Sequence, residues 1–540
     1  MTVPTRLLQS VADRRATREE RVRMRDGVRL ATDVYLPAAG LGPVPTVLIR
    51  LPYDKTGRYT FIPQIAEHFA AHGFACVTQD VRGKYRSEGE REPFIREADD
   101  GCDTVDWIIS QDWSNGAVGT WGDSYYGFTQ WALASRHHPA HRAMVPRVTG
   151  HRFGDMRPGG GMPTFTLLDW VIDAWAVREL ILTGGARHDT LPARSAAHPS
   201  LPDGQRLFER FVTVAEDPEA FVAGLFPDGN PAERLTIPAL HTGGWFDNLQ
   251  FWQLDDWHAA QRSPASEHQF LRMWTSDHED YRWREADEPL VADFGEDADA
   301  LAEHVPRLLS EAIPFLRHYL GDRHDRWPAA TVRYEHARVG VRDAAEWPPR
   351  RSEQKTFHLA AGALTDSPAT GELSWAHEPA DPVPFPIRSE WDQNRTGLPD
   401  EASLHAREDV AIFDSPPLDA PLDLVGGIDV SARISAGTER THVIARLLDV
   451  HPGGRATMIL ANATDCVADG RQPFHVRLGD TAYRLPAGHR LRLALSSSLA
   501  GQYPVHPGTD ESAWDATTHR PSRQTLHLEH ATLTARVDRG

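Results

Sequence analysis

The sequence predicts an α/β domain that is interrupted by a helical insertion and followed by an all-β domain. Strand and helix patterns alternate over residues 1–150 and again over 235–326, which is typical of a mainly parallel sheet covered on both faces. Between these parts, residues 151–234 carry helical patterns alone and are interpreted as a helical cap. From 327 to 540, short alternating runs separated by turn residues indicate a β-sandwich of jelly-roll type.

The first α/β part begins with a hairpin. Residues 20–25 and 28–36 alternate apolar and polar around Asp26-Gly27, a dipeptide that supplies the positive φ angles of a tight turn. The elements expected next are a strand at 46–51, a helix at 64–72 ended by Gly73, a strand at 74–78, a helix at 100–110, a strand running into Gly122, and a helix closed by Pro139.

The insertion and the later elements follow in order. Helices are expected at 167–182 and 205–215. The α/β rhythm returns at 237–247 and continues with a strand at 269–274 and a helix at 306–320 ended by Gly321. The β runs of the last part are 332–341, 356–359, 423–434, 442–450, 475–478, 490–496 and 525–536.

The composition limits the classes of protein and partner. A chain of 540 residues is too long for one hydrophobic core, so two or three domains are expected. The net charge of -19 argues against binding to nucleic acid or an anionic membrane, because no basic excess exists to neutralise phosphates. The three cysteines are too few and too scattered for a disulfide framework. No signal-peptide segment and no membrane-spanning run is present, so we expect a cytoplasmic protein.

The stretch Gly122-Asp123-Ser124-Tyr125-Tyr126-Gly127 lies between a predicted strand and a predicted helix. Such a turn holds a serine side chain above the edge of a parallel sheet, and glycines beside it remove side chains that would collide. The usual spacing is G-x-S-x-G, and here the second glycine comes one residue later. An ordinary surface turn is the alternative, but the flanking strand and helix favour Ser124 as a nucleophile.

A serine nucleophile needs a base, usually a histidine that a carboxylate orients. Both are expected later in the chain, each just after a strand. Asp247 ends the stretch 237–247, and His278 follows the next strand. The alternatives are a helix N-cap for Asp247 and a surface position for His278. His268 is the nearest rival base, but it lies at the start of its strand, which is the wrong end of the sheet.

The remaining parts of the predicted site are hydrogen-bond donors and a substrate pocket. An oxyanion needs donors, and we expect the backbone N–H of Tyr125 and the hydroxyl of Tyr53 to supply them. A tyrosine packed at the core rim is the alternative for Tyr53. Trp170 and Trp175 in the cap, and Trp245 beside the acid, are candidates for lining an apolar pocket.

No metal or cofactor is predicted. His68 and His72 stand four residues apart on a helix, but no third ligand is implied, so a solvated helix face is favoured. The glycines at 159–161 lack the lysine of a phosphate loop. The expected partner is a small-molecule ester or amide, and the sequence leaves open whether the protein is a monomer or a homodimer.

Together these residues resemble the bacterial cocaine esterase and X-Pro dipeptidyl-peptidase family. The resemblance implies an α/β-hydrolase fold with an inserted helical cap and a C-terminal all-β jelly-roll domain, with the site where the three meet. The segments that carry the likeness extend over nearly the whole chain: 26–30, 33–35, 50–55, 79–83, 87–89, 122–127, 244–247, 447–455, 485–491 and 496–498.

Two departures from the family pattern are visible. The family usually reaches its histidine through Gly-Pro-Trp with about one residue between Trp and His. Here Arg272-Met273-Trp274 is followed by three residues before His278. The family also usually has a glycine-rich loop after the segment 381–384, whereas here Phe385-Pro386-Ile387 and a polar stretch follow. We therefore expect a remodelled histidine loop and a different substrate mouth.

One subgroup, the α-amino acid ester hydrolases, places acidic residues just after the catalytic aspartate to hold a substrate ammonium. Here Asn248-Leu249-Gln250 carry no charge, which argues against an α-amino ester unless Asp255, Asp256 or a cap carboxylate substitutes.

The sequence therefore predicts a serine hydrolase that cleaves an ester, or an amide, through an acyl-enzyme. In this hypothesis Ser124 attacks, His278 transfers the proton and Asp247 orients the histidine. The preference for an ester comes from the family resemblance. An acyltransferase or cyclase of secondary metabolism with the same three residues is one alternative. A binding protein whose histidine loop has disabled the site is another.

Overall fold

The computed structural model describes residues 16–38, 42–181, 191–196, 201, 203–285, 288–321, 326–387, 389–398 and 400–538. Two large β-sheets organise this part of the chain, one with ten strands and one with eight. The predicted order along the chain, an α/β part interrupted by a helical insertion and followed by an all-β part, is confirmed.

The ten-stranded sheet has the order β1-β2-β4-β3-β5-β6-β7-β8-β9-β10. Neighbours from β4 through β9 pair in parallel, while β1–β2, β2–β4 and β9–β10 are antiparallel. Its central strands are buried apolar runs, as expected where helices cover both faces. The strands are β1 (Arg18–Arg23), β2 (Arg29–Tyr35), β3 (Val44–Leu51), β4 (Ala75–Asp80), β5 (Ser114–Asp123), β6 (His141–Arg147), β7 (Ala239–Gly244), β8 (Gln269–Trp274), β9 (Val332–His336) and β10 (Gly340–Ala344).

The described helices divide between the covering layers of this sheet and the insertion. Helices α4 to α6 lie between β6 and β7 and form the insertion. The predicted helix at 167–182 spans Phe165–Trp175, and residue 182 lies outside the described residues. The helices are α1 (Ile62–Ala71), α2 (Glu97–Ile109), α3 (Ser124–Ala134), α4 (Phe165–Trp175), α5 (Gly204–Glu216), α6 (Pro218–Leu225), α7 (Gln250–Ala260), α8 (Ala298–Leu309), α9 (Ala312–Leu320) and α10 (Gln393–Thr396).

The first sheet continues beyond residue 326, where the sequence placed the start of the all-β part. Strands β9 and β10 form a hairpin, and β9 pairs in parallel with β8 through Leu271 and Val332. The run 332–341 therefore extends the first sheet. Its alternating pattern fits an edge of either sheet, so the pattern alone could not assign it.

The eight-stranded sheet has the order β13-β18-β11-β12-β14-β17-β15-β16. Its longest strands, β15 and β16, have 29 and 30 residues. The first half of β15 pairs with β18 and the second half with β17, so the runs predicted at 423–434 and 442–450 are two halves of one strand. The strands are β11 (Ser352–Ala360), β12 (Ala363–Thr365), β13 (Glu372–His377), β14 (Val410–Asp414), β15 (Leu422–Val450), β16 (Ala456–Leu485), β17 (Arg490–Ser496) and β18 (Ser522–Asp538).

Apolar side chains of both sheets share one core. Leu271 and Met273 of β8, and Trp245 just after β7, cluster with residues of the second sheet, among them Val425 and Ile428. None of the helices in the described ranges has the length and apolar character needed to cross a bilayer.

Candidate active site

Ser124 lies at the sharp turn between β5 and α3. Its φ of 52° is left-handed, a strained conformation that non-glycine residues rarely adopt. A side chain at Gly122 would collide with Tyr126, so glycine is needed there. A Cβ at Gly127 would lie 2.5 Å from Cγ2 of Thr149, whose hydroxyl donates a hydrogen bond of 2.7 Å to the Ser124 carbonyl. The late glycine of this turn therefore makes room for a threonine that fixes the serine.

Asp247 and His278 contact each other at the carboxyl ends of β7 and β8. Nδ1 of His278 donates to Oδ1 of Asp247 at 2.8 Å, and both residues are buried. This bond leaves Nε2 of the imidazole available to a second partner. His278 and Ser124 line the same cavity, which has a volume of about 530 Å³. The rival His268 lies elsewhere, with its Nδ1 3.0 Å from the hydroxyl of Tyr319.

The loop before His278 is held by hydrogen bonds from several elements. Thr275 donates from its N–H and hydroxyl to Glu335 on β9, at 3.1 and 2.7 Å. The carboxylate of Asp277 accepts from the N–H of Asn394 on α10 at 2.7 Å and from that of Tyr281 at 3.0 Å. The longer histidine loop is therefore a fixed structure rather than a disordered insertion.

The charge state of His278 is set by two opposing effects. Burial lowers the pKa of the imidazole, but the Asp247 carboxylate and its hydrogen bond raise it, and Glu279 and Asp123 add to the rise. The net effect is a pKa above the ordinary value for histidine. Such a histidine accepts a proton readily, as a general base requires.

Tyr53 follows β3 and lies beside the serine. Its hydroxyl oxygen accepts a hydrogen bond of 2.8 Å from Nε1 of Trp170. Burial raises the pKa of Tyr53, and hydrogen bonds with Trp170 and Ser124 oppose this rise. The phenol is therefore protonated at neutral pH and can donate its hydrogen.

Tyr125 is anchored through its side chain. Its hydroxyl donates to Glu97 at 2.8 Å and accepts from the N–H of Phe94 at 2.7 Å. Its backbone N–H lies in the first turn of α3, where an N–H has no acceptor within the helix. The positive end of the helix dipole adds to the attraction of a negative oxygen at this position.

Two stretches of the chain match known protein families. Residues 26–278 match the family described as X-Pro dipeptidyl-peptidase (S15 family), and residues 325–534 match the X-Pro dipeptidyl-peptidase C-terminal non-catalytic domain. The chain belongs to the cocaine esterase and X-Pro dipeptidyl-peptidase family. Membership in this family of α/β-hydrolases makes it an enzyme of the esterase and acyl-hydrolase class.

Individual relatives of this family cover nearly the whole chain. The cocaine esterase of Rhodococcus sp. (strain MB1 Bresler) is 29% identical over 548 residues, which are 90% of this chain and 92% of that protein. A solved α-amino acid ester hydrolase has a TM-score of 0.79 at 21% identity and covers 98% of both chains. An aminopeptidase from a marine sediment Thaumarchaeota archaeon has a TM-score of 0.79 at 23% identity and covers 96% of both chains. These two solved structures have the same fold as this chain.

The three tryptophans predicted for the pocket separate in the structure. Trp170 lines the cavity, whereas Trp175 and Trp245 are absent from its described wall. Trp175 lies five residues further along α4, which is about 140° around the helix axis, and packs on Tyr125 with ring centroids 5.2 Å apart. Trp245 packs against Trp347 with ring centroids 4.7 Å apart and ring planes tilted by 32°, in the core between the two sheets. These two predictions are corrected to packing positions.

Sequence reasoning missed most of the cavity wall. Glu279 and Asp123 are neighbours of His278 and Ser124 in sequence, so that adjacency could have indicated them. The all-β part contributes side chains that no local pattern connects to the serine. Further wall residues are Tyr59, Thr60, Phe61, Tyr126, Asp169, Asp173, Asp280, Phe385, Glu390 and Trp391.

One group of side chains in the described part of the chain has the spacing to hold a metal ion. It consists of Asp449, His451 and His489, and it includes neither His68 nor His72. The Asp449 carboxylate already accepts hydrogen bonds from Arg338 at 3.0 Å and Tyr483 at 2.9 Å, besides His489 at 2.6 Å. A guanidinium on this carboxylate opposes a second cation, so the group is best explained as a structural ion-pair network.

Proposed function

We propose that this enzyme hydrolyses carboxylic esters through an acyl-enzyme formed on Ser124. The observation that carries the proposal is the 2.8 Å hydrogen bond from His278, which lines the same cavity as Ser124, to Asp247 behind it. Similarity to a cocaine esterase over 90% of the chain supports an ester rather than an amide as the preferred substrate.

In the first half of the reaction, Oγ of Ser124 bonds to the ester carbonyl carbon while its proton passes to Nε2 of His278. The carbonyl oxygen becomes an oxyanion, which accepts hydrogen bonds from the Tyr53 hydroxyl and the Tyr125 N–H. The bond to the leaving alcohol then breaks, and that alcohol takes the proton from His278. The acyl group remains on the serine.

In the second half, water attacks the acyl carbon and gives a proton to His278. The same two donors stabilise the second oxyanion. The bond to Oγ then breaks, the proton returns to Ser124, and the carboxylic acid leaves. Throughout both halves, Asp247 accepts the Nδ1–H of His278, which holds the imidazole in one tautomer and stabilises its protonated form.

The test compares wild type with Ser124→Ala and, as a matched control, Ser135→Ala at the end of the same helix. Phenylmethylsulfonyl fluoride should add to wild type and to the control but not to Ser124→Ala, measured by intact-protein mass spectrometry. A panel of p-nitrophenyl esters and anilides should lose roughly 10⁴-fold or more of its kcat in Ser124→Ala alone. Turnover that survives this substitution, or an adduct at another residue, would contradict the proposal.

A further inference from the structure

A second cavity lies against the first sheet, next to the catalytic one. Its volume is about 250 Å³, somewhat below the range of about 300–1,000 Å³ that is typical of pockets for drug-sized ligands. Among the described wall residues, the two cavities share only Asp280 and Leu308. Alternate residues of three neighbouring strands form one side of the wall: Val145 and Arg147 of β6, Leu240 and Thr242 of β7, and Arg272 and Trp274 of β8.

The wall of this second cavity is rich in arginine. Four guanidinium groups line it, whereas the described wall carries two carboxylates, Asp280 and Glu311. Two of the arginines pair with Thr242 in the sheet, one from β6 and one from β8. The other two come from the segment after His278 and from α8. The four are Arg147, Arg272, Arg282 and Arg307.

Arg272 has a donor that the described protein does not satisfy. The residue is 1% exposed. Its Nε pairs with Glu311, and its Nη1 donates to the carbonyl oxygens of Leu271 at 2.8 Å and Ala330 at 3.1 Å. Its Nη2 is buried and has no hydrogen-bond partner within the described ranges. A buried donor left unpaired is costly, and an anion in the cavity would supply the missing acceptor.

The other three guanidinium groups also have unused donors. Within the described residues, Arg147 and Arg282 each donate one side-chain hydrogen bond, to a carboxylate at 2.6 Å, and Arg307 donates one of 3.0 Å to His304. A guanidinium has five N–H donors in a fixed fork, so most of these donors remain available. The carboxylates that face the four arginines are Asp123, Asp280, Glu311 and Glu335.

The arginines are close enough to repel one another. Burial lowers the pKa of Arg307, and the charges of Arg282 and Arg147 lower it further, against the attraction of Asp280. The net pKa lies below the ordinary value for arginine, so the surrounding carboxylates do not fully compensate these positive charges. An anion among the guanidinium groups would replace this repulsion by attraction.

Part of this wall is particular to this chain. Arg272 belongs to the segment Arg272-Met273-Trp274, which stands where the family usually has Gly-Pro-Trp. A glycine has no side chain that could reach the cavity. The departure from the family pattern therefore supplies the residue with the unsatisfied buried donor.

We propose that this cavity binds a small phosphate-type anion, either inorganic phosphate or a short phosphate monoester, through Nη2 of Arg272 and the unused donors of the other three arginines. The planar fork of arginine matches the geometry of phosphate oxygens. A phosphate offers three or four acceptor oxygens, which guanidinium groups from several directions can share, whereas a carboxylate offers two. The proposed site is separate from the hydrolysis proposed for Ser124 and does not depend on it.

The test is isothermal titration calorimetry of the full chain in a phosphate-free buffer at constant ionic strength. The three probes are inorganic phosphate, glycerol 3-phosphate and acetate. We expect one site per chain, at which phosphate or glycerol 3-phosphate binds at least about tenfold more tightly than acetate. Tighter binding of phosphate would identify the free anion as the ligand, and tighter binding of glycerol 3-phosphate would identify a monoester. Absence of saturable binding, or acetate binding as tightly as both phosphates, would overturn the proposal.

The residues to substitute are Arg282 and Arg307, whose side chains are 27% and 44% exposed. Loss of Arg272 would also remove hydrogen bonds within the fold, whereas Arg282→Gln and Arg307→Gln should fold, which thermal unfolding without phosphate checks. Each should raise the Kd for the tighter phosphate about tenfold. Arg317→Gln, on the exposed side of α9 and outside the cavity, is the matched control and should keep the wild-type Kd.

Ser124→Ala should also keep the wild-type Kd, because the proposed site lies outside the catalytic cavity. An unchanged Kd in both Arg282→Gln and Arg307→Gln would overturn the proposal, as would phosphate binding that Ser124→Ala abolishes. Failure of the proposed hydrolysis looks different, since it would appear in ester turnover and leave these titrations unaffected.

Discussion

The indole N–H of Trp170 donates a hydrogen bond of 2.8 Å to the hydroxyl oxygen of Tyr53. An indole can only donate, so the hydrogen of the tyrosine must point to another acceptor. Tyr53 and Ser124 line the same cavity, so this hydrogen is available to the oxyanion of the proposed reaction. A residue of the helical insertion thus limits the directions in which a donor at the end of β3 can point its hydrogen.

Removing the Tyr53 hydroxyl should slow the chemical step. We expect Tyr53→Phe to lower kcat by about 10²–10³-fold with little change in KM, because the hydrogen bond strengthens only as charge develops on the oxygen. Trp170→Phe keeps a ring in the wall but loses the N–H, so its kcat should fall less, by about tenfold. Steady-state kinetics on a neutral ester measure both. Trp107→Phe on α2 is the control, and full activity in Tyr53→Phe would assign the donor elsewhere.

Replacing the Asp247 carboxylate by an amide should lower kcat strongly, although the two side chains are nearly equal in size. In Asp247→Asn the amide can donate to Nδ1 and favour the wrong imidazole tautomer, so kcat should fall on the order of 10³–10⁴-fold. Asp255→Asn changes an exposed aspartate on the following helix, which pairs with Arg477, and should keep its activity. Circular dichroism checks that both variants fold. Comparable losses in the two variants would argue against the assigned role.

The pH dependence of kcat/KM for a neutral ester should report the base. His278 must be neutral to accept the serine proton, so activity rises as pH increases through its pKa. That pKa is raised above the ordinary value of 6.5, which places the midpoint of the acid limb above 6.5. In a series of buffers at constant ionic strength, a midpoint below 6.5 would be inconsistent with the Asp247–His278 pair.

The close approach of Gly127 to Thr149 predicts how a substitution at Gly127 changes the free energy of unfolding. Gly127→Ala would place a methyl group 2.5 Å from Thr149, so the helix or the threonine must move, at a cost of about 1–3 kcal/mol. The same substitution at Gly224 in α6 meets no atom within 4 Å and should be neutral or stabilising by up to about 1 kcal/mol. Denaturant unfolding of the two variants measures the difference. Equal stability would mean that Thr149 has room to rearrange.

The elements nearest the serine were predictable because their signals are local. A strand, a glycine-flanked serine and a helix determine the turn at Ser124 without reference to the rest of the chain. Asp247 and His278 could be located because carboxyl ends of neighbouring parallel strands meet at one edge of the sheet. The position of Trp175 could have been corrected from the sequence, since five residues along a helix turn a side chain away from Trp170.

Other parts of the site depend on contacts that no local pattern encodes. Glu390 and Trp391 reach the cavity from the all-β part, more than one hundred residues after His278. Apolar and polar residues alternate along the hairpin of β9 and β10, as they do in edge strands generally. Only the pairing of β9 with β8 decides which sheet the hairpin joins. In such cases tertiary packing, rather than propensity, selects among arrangements that the sequence allows.

The shared core between the two sheets has a consequence for how the molecule comes apart. Trp245 packs against Trp347, and the indole N–H of Trp347 donates a hydrogen bond of 2.9 Å to Asp480 on β16. Detaching either half would bring these rings and their apolar neighbours into water, so we expect neither half to show an independent melting transition. Calorimetry should record a single endotherm, and a fragment that keeps all ten strands of the first sheet and ends after β10 should aggregate rather than persist as a smaller esterase.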